Sequence, residues 1–283
     1  MLTCIASRPW PCTKHGRVRK AHAATTATRP VCKAMQQEQV GQGNVCLVYD
    51  HSQELVPYNQ AWGWQRAELE RSVVDLDAGT SPSDKLFILQ HAPVYTLGTG
   101  SDMAHLRFDP AQQSAIPLYR TERGGEVTYH GPGQLVLYPL LHLARHRQDL
   151  HWYMRSLEEV VVRALAEVSG LQGERIPGLT GVWVGGSKVA AIGVRAKRWV
   201  TYHGVAINVC PDLSPFADIV PCGIADRPVS SVAQLMGMPA LPVSGGVPTP
   251  EQAALLAEYR YALLDAFACV FGAQLVPSQR AGS

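Results

Sequence analysis

Gly181-Val182-Trp183-Val184-Gly185-Gly186-Ser187-Lys188-Val189-Ala190-Ala191-Ile192-Gly193-Val194-Arg195-Ala196-Lys197-Arg198-Trp199-Val200-Thr201-Tyr202-His203-Gly204-Val205-Ala206-Ile207-Asn208 carries three β-rich runs in quick succession. They span 181–184, 188–196 and 200–209, and the gaps between them are short enough for hairpins, so an antiparallel or mixed sheet is expected here. Upstream, 44–49 reads as a short apolar strand. Pro57 opens a helical stretch in which Tyr58, Trp62, Leu69, Val73 and Leu76 recur at three- and four-residue steps. Residues 85–90 and 94–97 read as strands on either side of His91-Ala92-Pro93, and 135–141 as a buried strand. Asp149 is placed to cap a second helix with Met154, Leu157, Val161, Ala164, Leu165 and Val168 on one face, and Gly170 suits its end. Downstream, the Pro-, Gly- and Ser-rich stretch 239–250 is a loop. Thr249, Pro250 and Gln252 then form a capping-box start to a last helix through about Phe271, whose role is packing by default. Helices and strands interleave without a strict βαβ rhythm. The fold class is therefore α+β or mixed α/β, and the pattern alone leaves the strand order open.

A chain of 283 residues at 46% hydrophobic makes one large domain or two small ones. No apolar run approaches the roughly 18 residues that a membrane span needs, so a soluble protein without a membrane partner is expected. The first 35 residues differ from the rest. They hold Arg8, Lys14, Arg17, Arg19, Lys20, Arg29 and Lys33 but no acid, the first being Glu38. This is the composition of an organelle transit peptide, with 36–275 left as the folded domain. The alternative is a disordered basic tail that touches nucleic acid. Removing those seven from 25 basic residues leaves 18 against 23 acids, and a mildly acidic body argues against a nucleic-acid partner. Val31-Cys32-Lys33-Ala34 resembles a plastid processing site, which favours the plastid stroma over the mitochondrial matrix.

Three of the seven cysteines, Cys4, Cys12 and Cys32, fall in that leading segment. The other four, Cys46, Cys210, Cys222 and Cys269, form no C-x-x-C pair, so neither zinc nor dithiol redox chemistry is indicated. His142, His146 and His151 lack an acidic residue at ligand spacing and read as a solvated surface, not a metal site.

Chemistry gathers at three places. Arg123-Gly124-Gly125-Glu126-Val127-Thr128-Tyr129-His130-Gly131-Pro132-Gly133-Gln134 is rich in turn-forming and pocket-lining residues. Lys188 follows Gly185-Gly186-Ser187, but a phosphate loop is not met because Val189 follows the lysine. Cys222 sits in Val220-Pro221-Cys222-Gly223-Ile224, 34 residues after Lys188. Each piece alone reads as a packing cysteine, a solvated lysine or a glycine-rich turn. Cys210 has a neighbouring proline too, but after it instead of before it, and lacks the following glycine.

Together, in this order and spacing, these pieces resemble the octanoyltransferases of lipoate biosynthesis, also called lipoyl(octanoyl) transferases, over about residues 45 to 235. The resemblance implies a mixed sheet flanked by helices, like the catalytic domains of biotin- and lipoate-protein ligases. It implies that Cys222 carries the acyl group, since a thiolate exchanges thioesters, and that Lys188 lowers its pKa and moves protons. It places Arg123, Gly124, Gly125, Glu126, Val127, Thr128, Tyr129 and His130, then Ala191, Ile192 and Gly193, then Gly204, Val205 and Ala206 around the acyl group, with His203 beside them. Whether His130 or His203 serves as a base stays open. The implied donor is octanoyl-acyl carrier protein. The implied acceptor is a lysine of the lipoyl domains of 2-oxoacid dehydrogenase E2 subunits or of glycine cleavage H protein. No cofactor is implied. The rival readings are an ATP-dependent lipoate-protein ligase on the same fold, a non-catalytic acyl-carrier-binding protein and a cysteine hydrolase.

Overall fold

The computed structural model describes residues 44–110, 115–221 and 227–278. β1 (Asn44–Val56) runs into α1 (Tyr58–Asp77) and returns as β2 (Asp84–His91). β3 (Val94–Leu97), β4 (Leu118–Arg120) and β5 (Thr128–His130) follow, then β6 (Gln134–Leu140) and α2 (Leu150–Ser169). β7 (Glu174–Ile176), β8 (Leu179–Val184), β9 (Ser187–Lys197) and β10 (Val200–Asn208) come next. A short α3 (Val232–Leu235), α4 (Pro250–Phe271) and β11 (Ala273–Pro277) close the chain.

The expected hairpins form. β8 pairs antiparallel with β9, β9 with β10, and β10 with β6. The large sheet has the order β11-β1-β2-β6-β10-β9-β8-β7, with β1 parallel to both its neighbours, and β3 lies between β4 and β5 in a smaller sheet. This is the mixed α/β architecture expected from the sequence. No described helix is long and apolar enough to cross a membrane.

Alternation within the central strands explains why they read as unbroken apolar runs. Leu86, Ile88, Leu135, Leu137, Val205 and Ile207 face one core, which α2 and α4 cover. Phe87, Leu89, Val136, Tyr138 and Ala206 face the other, beneath Ala61 and Leu69 of α1. A sheet buried on both faces has no polar side to break the pattern. The helix ends follow their sequence signals: Asp149 accepts from the backbone N–H groups of His151 and Trp152, Gly170 is left-handed, and Thr249 with Gln252 completes the capping box.

Three expectations are corrected. β1 extends to Val56 because a bulge between His51 and Leu55 lets its polar middle rejoin β2. Only part of the apolar stripe of α1 is fully buried: Tyr58 and Leu69 lie inward together with the polar Gln65, Glu68 and Ser72, while Trp62, Val73 and Leu76 are half-buried. Gln65 Oε1 accepts from the backbone of His203 at 2.8 Å, and Glu68 pairs with Lys85 at 3.3 Å, which offsets the cost of burying them. Finally, His146 is not on a solvated surface. Its ring Nε2 lies 2.8 Å from Asp84 Oδ2, which also accepts from Arg145, so this histidine ties the loop before α2 to β2.

Candidate active site

Arg123 organises the glycine-rich run. Its buried guanidinium donates to Thr96 on β3 at 2.8 Å and to the carbonyl of Glu126 at 2.7 Å, so it clasps the loop instead of projecting a free charge. Gly124 lies against β9, where its N–H donates to Val194 O at 3.0 Å. A Cβ at Gly193 would stand 2.8 Å from Gly124 O, so only glycine permits this approach. Val127 and Tyr129 turn the other way, into a small core with Tyr95, Leu97 and Ile219.

The remaining residues of the run meet the large sheet around a narrow cavity. Arg123, Gly125, Glu126, Thr128, His130, Ala191, Ile192, Gly193, His203, Gly204, Val205 and Ala206 all line it. Of the residues expected around the acyl group, Gly124, Val127 and Tyr129 are absent from this wall. The wall also holds Tyr58, Val136 and Tyr138, which the sequence reading missed. Val136 and Tyr138 had a signal: they alternate with Leu135 and Leu137 and so share the opposite face of β6.

A second cavity adjoins the first. It shares Thr128, Ala191 and Ala206 with it, and adds Tyr129, Gln134, Lys188, Asn208, Phe216, Pro221 and Val229. Lys188 reaches this place through a bulge. Val182 faces Ala190 and Trp183 faces Lys188, so Val189 is the extra residue that re-aims the lysine. Lys188 is only 6% exposed and its ammonium lies 5.4 Å from the Trp183 ring centroid. Its backbone N–H donates to Pro228 O, and its carbonyl accepts from Ser230, both at 2.9 Å. Cys222 lies outside the described residues, but both flanks of its segment meet at Lys188: Pro221 in the shared cavity, and Pro228 and Ser230 on the backbone.

The lipoyl protein ligase A/B catalytic domain family matches residues 57–245. An octanoyltransferase of Nostoc sp. is 52% identical over 235 residues, 83% of this chain and 96% of its own. An Arabidopsis thaliana octanoyltransferase described as chloroplastic is 52% identical over 191 residues, 68% of each chain. The chain belongs to the octanoyltransferase family. Among solved structures, lipoate-protein ligase A bound with ATP matches with a TM-score of 0.60 at 17% identity, covering 83% of this chain and 88% of that one. A lipoate protein ligase from T. acidophilum with bound lipoic acid gives a TM-score of 0.56 at 17% identity, covering 83% and 89%. These two show the fold alone.

In this octanoyltransferase three buried histidines back the first cavity. His91 Nδ1 lies 2.9 Å from Val56 O and its Nε2 accepts from the Tyr138 hydroxyl at 2.7 Å, so the neutral ring is fully used. Burial holds its pKa down at about 4. His130 pairs through Nδ1 with Gln134 Oε1 at 3.1 Å, and burial, His91 and Arg123 push it well below its ordinary value. His203 takes a left-handed φ of 57° that turns it toward the cavity; burial, then Arg123, lowers its pKa to about 3. Rings this hard to protonate make weak bases toward a thiol, which speaks against a Cys–His pair.

The same shifts set a stability profile. Unfolded, His91 and His203 take up a proton near pH 6.5; folded, they resist until about 4 and about 3. The contribution is therefore fully present above about pH 6.5 and is lost as pH falls toward 4. By pH 5 each should cost about 2 kcal/mol. Urea midpoints measured from pH 7.5 to 5 should fall steeply. His203→Asn, which keeps a residue tolerant of positive φ, should flatten that fall. A constant midpoint across this range would contradict the assignment.

Proposed function

We propose that the enzyme transfers an octanoyl group from the pantetheine thioester of acyl carrier protein to a lysine of a lipoyl domain or of glycine cleavage H protein, through an acyl-thioester on Cys222. Family membership supports the octanoyl-transfer step in lipoate biosynthesis. The observation that carries the mechanism is the meeting of Pro221, Pro228 and Ser230 at the buried Lys188. In this reading the hydrocarbon occupies the cavity walled by Ala191, Ile192, Gly193, Val205 and Ala206, and the thioester carbonyl lies at the Lys188 end. The Cys222 thiolate attacks it and expels the pantetheine thiolate, which takes a proton. The acceptor amine then attacks the acyl-enzyme, loses a proton, and regenerates the thiol. An amide is more stable than a thioester, so no nucleotide is consumed.

The test uses octanoyl-, hexanoyl- and palmitoyl-carrier protein with an apo lipoyl domain, free of nucleotide and magnesium. Octanoyl transfer should proceed. Each methylene buried is worth about 0.8 kcal/mol, so the hexanoyl donor should react about 15-fold less well. The palmitoyl donor should fail, because a closed cavity end resists overpacking. An absolute requirement for ATP would instead establish the ligase reading.

Residues 1–35, which lie outside the described residues, serve in this proposal as a transit peptide for the plastid stroma. The basic, acid-free composition supports this, as does a relative described as chloroplastic. A chain beginning at Met35 keeps everything from β1 onward and should fold with full activity. If that truncation left no soluble protein, the leading segment would be part of the domain.

A further inference from the structure

The two cavities continue into a third. The Lys188 cavity shares Phe216, Pro221 and Val229 with an open cleft on the surface. The Lys188 cavity and this surface cleft therefore share a wall, among the described residues. The cleft carries Arg107 and Arg227 and, among the described lining residues, no carboxylate. Both arginines are exposed. Arg107 is steadied by donation from Nη1 to Ala217 O at 3.0 Å. Arg227 lies 5.7 Å from the Trp183 ring centroid, the same indole that faces Lys188. The Asp218 carboxylate, next along from Ala217, accepts from the Tyr95 hydroxyl at 3.0 Å and is not among the residues lining the cleft.

We propose that Arg107 and Arg227 form the binding site for the phosphate of the donor's pantetheine arm. This rests on the proposed thioester donor. With the hydrocarbon inside and the thioester at Lys188, the arm has to leave along the third cavity. The pantetheine portion itself is neutral, so its terminal phosphate is the first charge to emerge, and it emerges between two guanidinium groups suited to phosphate. The acceptor lysine carries a positive charge and no phosphate, so the charge of this mouth fits the donor.

The experiment follows acyl-enzyme formation by intact mass with octanoyl-pantetheine, octanoyl-4′-phosphopantetheine and octanoyl-carrier protein. In the wild-type enzyme the phosphate should raise the second-order rate about tenfold at low salt, the order expected of two exposed charge pairs. Raising the salt should shrink that advantage. Arg107→Met with Arg227→Met should erase it while leaving the phosphate-free donor within about twofold, as loss of a remote charge contact implies. Equal slowing of both small donors would make the arginines structural supports of Trp183 and Lys188, and an unchanged phosphate advantage would dismiss them; either result overturns the site. A defect confined to the KM of the acceptor domain would also overturn it, by placing the arginines against the acceptor. If no thioester acylates the wild-type enzyme, the donor reading falls and the arm site with it. That outcome is distinct, because failure of the site alone leaves acylation intact.

Discussion

Incubated with octanoyl-carrier protein, the wild-type chain should gain the mass of one octanoyl group, and Cys222→Ala should gain none. The other cysteines of the domain explain why the loss should be complete. Cys46 is fully buried, and burial followed by the nearby Asp84 charge pushes its thiol far up. Cys210 is also fully buried, with a pKa pushed up to about 12 by burial. At pH 8 such a thiol is only about one ten-thousandth thiolate, too little to exchange thioesters. Cys269 is the stronger competitor, because Arg163 Nη1 lies 3.0 Å from its sulfur on α4. It lines neither the first cavity nor the Lys188 cavity, so it has no hold on the donor in the proposed arrangement. Cys210→Ala and Cys269→Ser should therefore both keep the mass gain. Peptide mapping that found the octanoyl group on either of these two residues would refute the role given to Cys222.

Signals confined to a few neighbouring residues proved readable. Short gaps between 181 and 208 forced hairpins, Asp149 and Thr249 marked helix starts, and the glycines of the 123–134 run marked close backbone approach. What stayed hidden depends on partners far away in sequence. β11 joins β1 by pairing Ala273 with Asn44, and no local pattern records that contact. The inward placing of Gln65 and Glu68 on α1 stayed hidden, because the partners that make their burial tolerable come from β10 and β2. His146 looked like a surface residue because its acid, Asp84, is 62 positions earlier. Within the site, the family resemblance marked Ala191 to Gly193 and Gly204 to Ala206, whose small and aliphatic side chains suit a hydrocarbon. The aromatic wall of Tyr58 and Tyr138 required knowing which faces of α1 and β6 meet. The mouth at Arg107 and Arg227 likewise arises only when segments more than a hundred residues apart converge.

Lys188→Arg should lose more than tenfold in turnover at pH 8 although the positive charge is kept. A free thiol near pKa 8.5 is already about one-quarter thiolate at that pH, so a fixed charge can gain only about fourfold by completing ionisation. Proton transfer to the leaving thiol and from the incoming amine is worth about 10²–10⁴-fold. Arginine cannot readily give up a proton, so the variant keeps the smaller effect and loses the larger. The two half-reactions should then separate. Acylation, assisted by the retained charge, should fall less than aminolysis, which must strip a proton from the acceptor amine, and acyl-enzyme should accumulate. Sterics supply a competing explanation that this separation resolves. Lys188 runs so close to β8 that a Cβ at Gly181 would stand 2.6 Å from its Cε, which leaves little room for a planar guanidinium. A misplaced side chain would slow acylation and aminolysis alike, with no build-up of acyl-enzyme. Near-normal turnover of Lys188→Arg would show instead that charge alone suffices, and that the protons travel by another route.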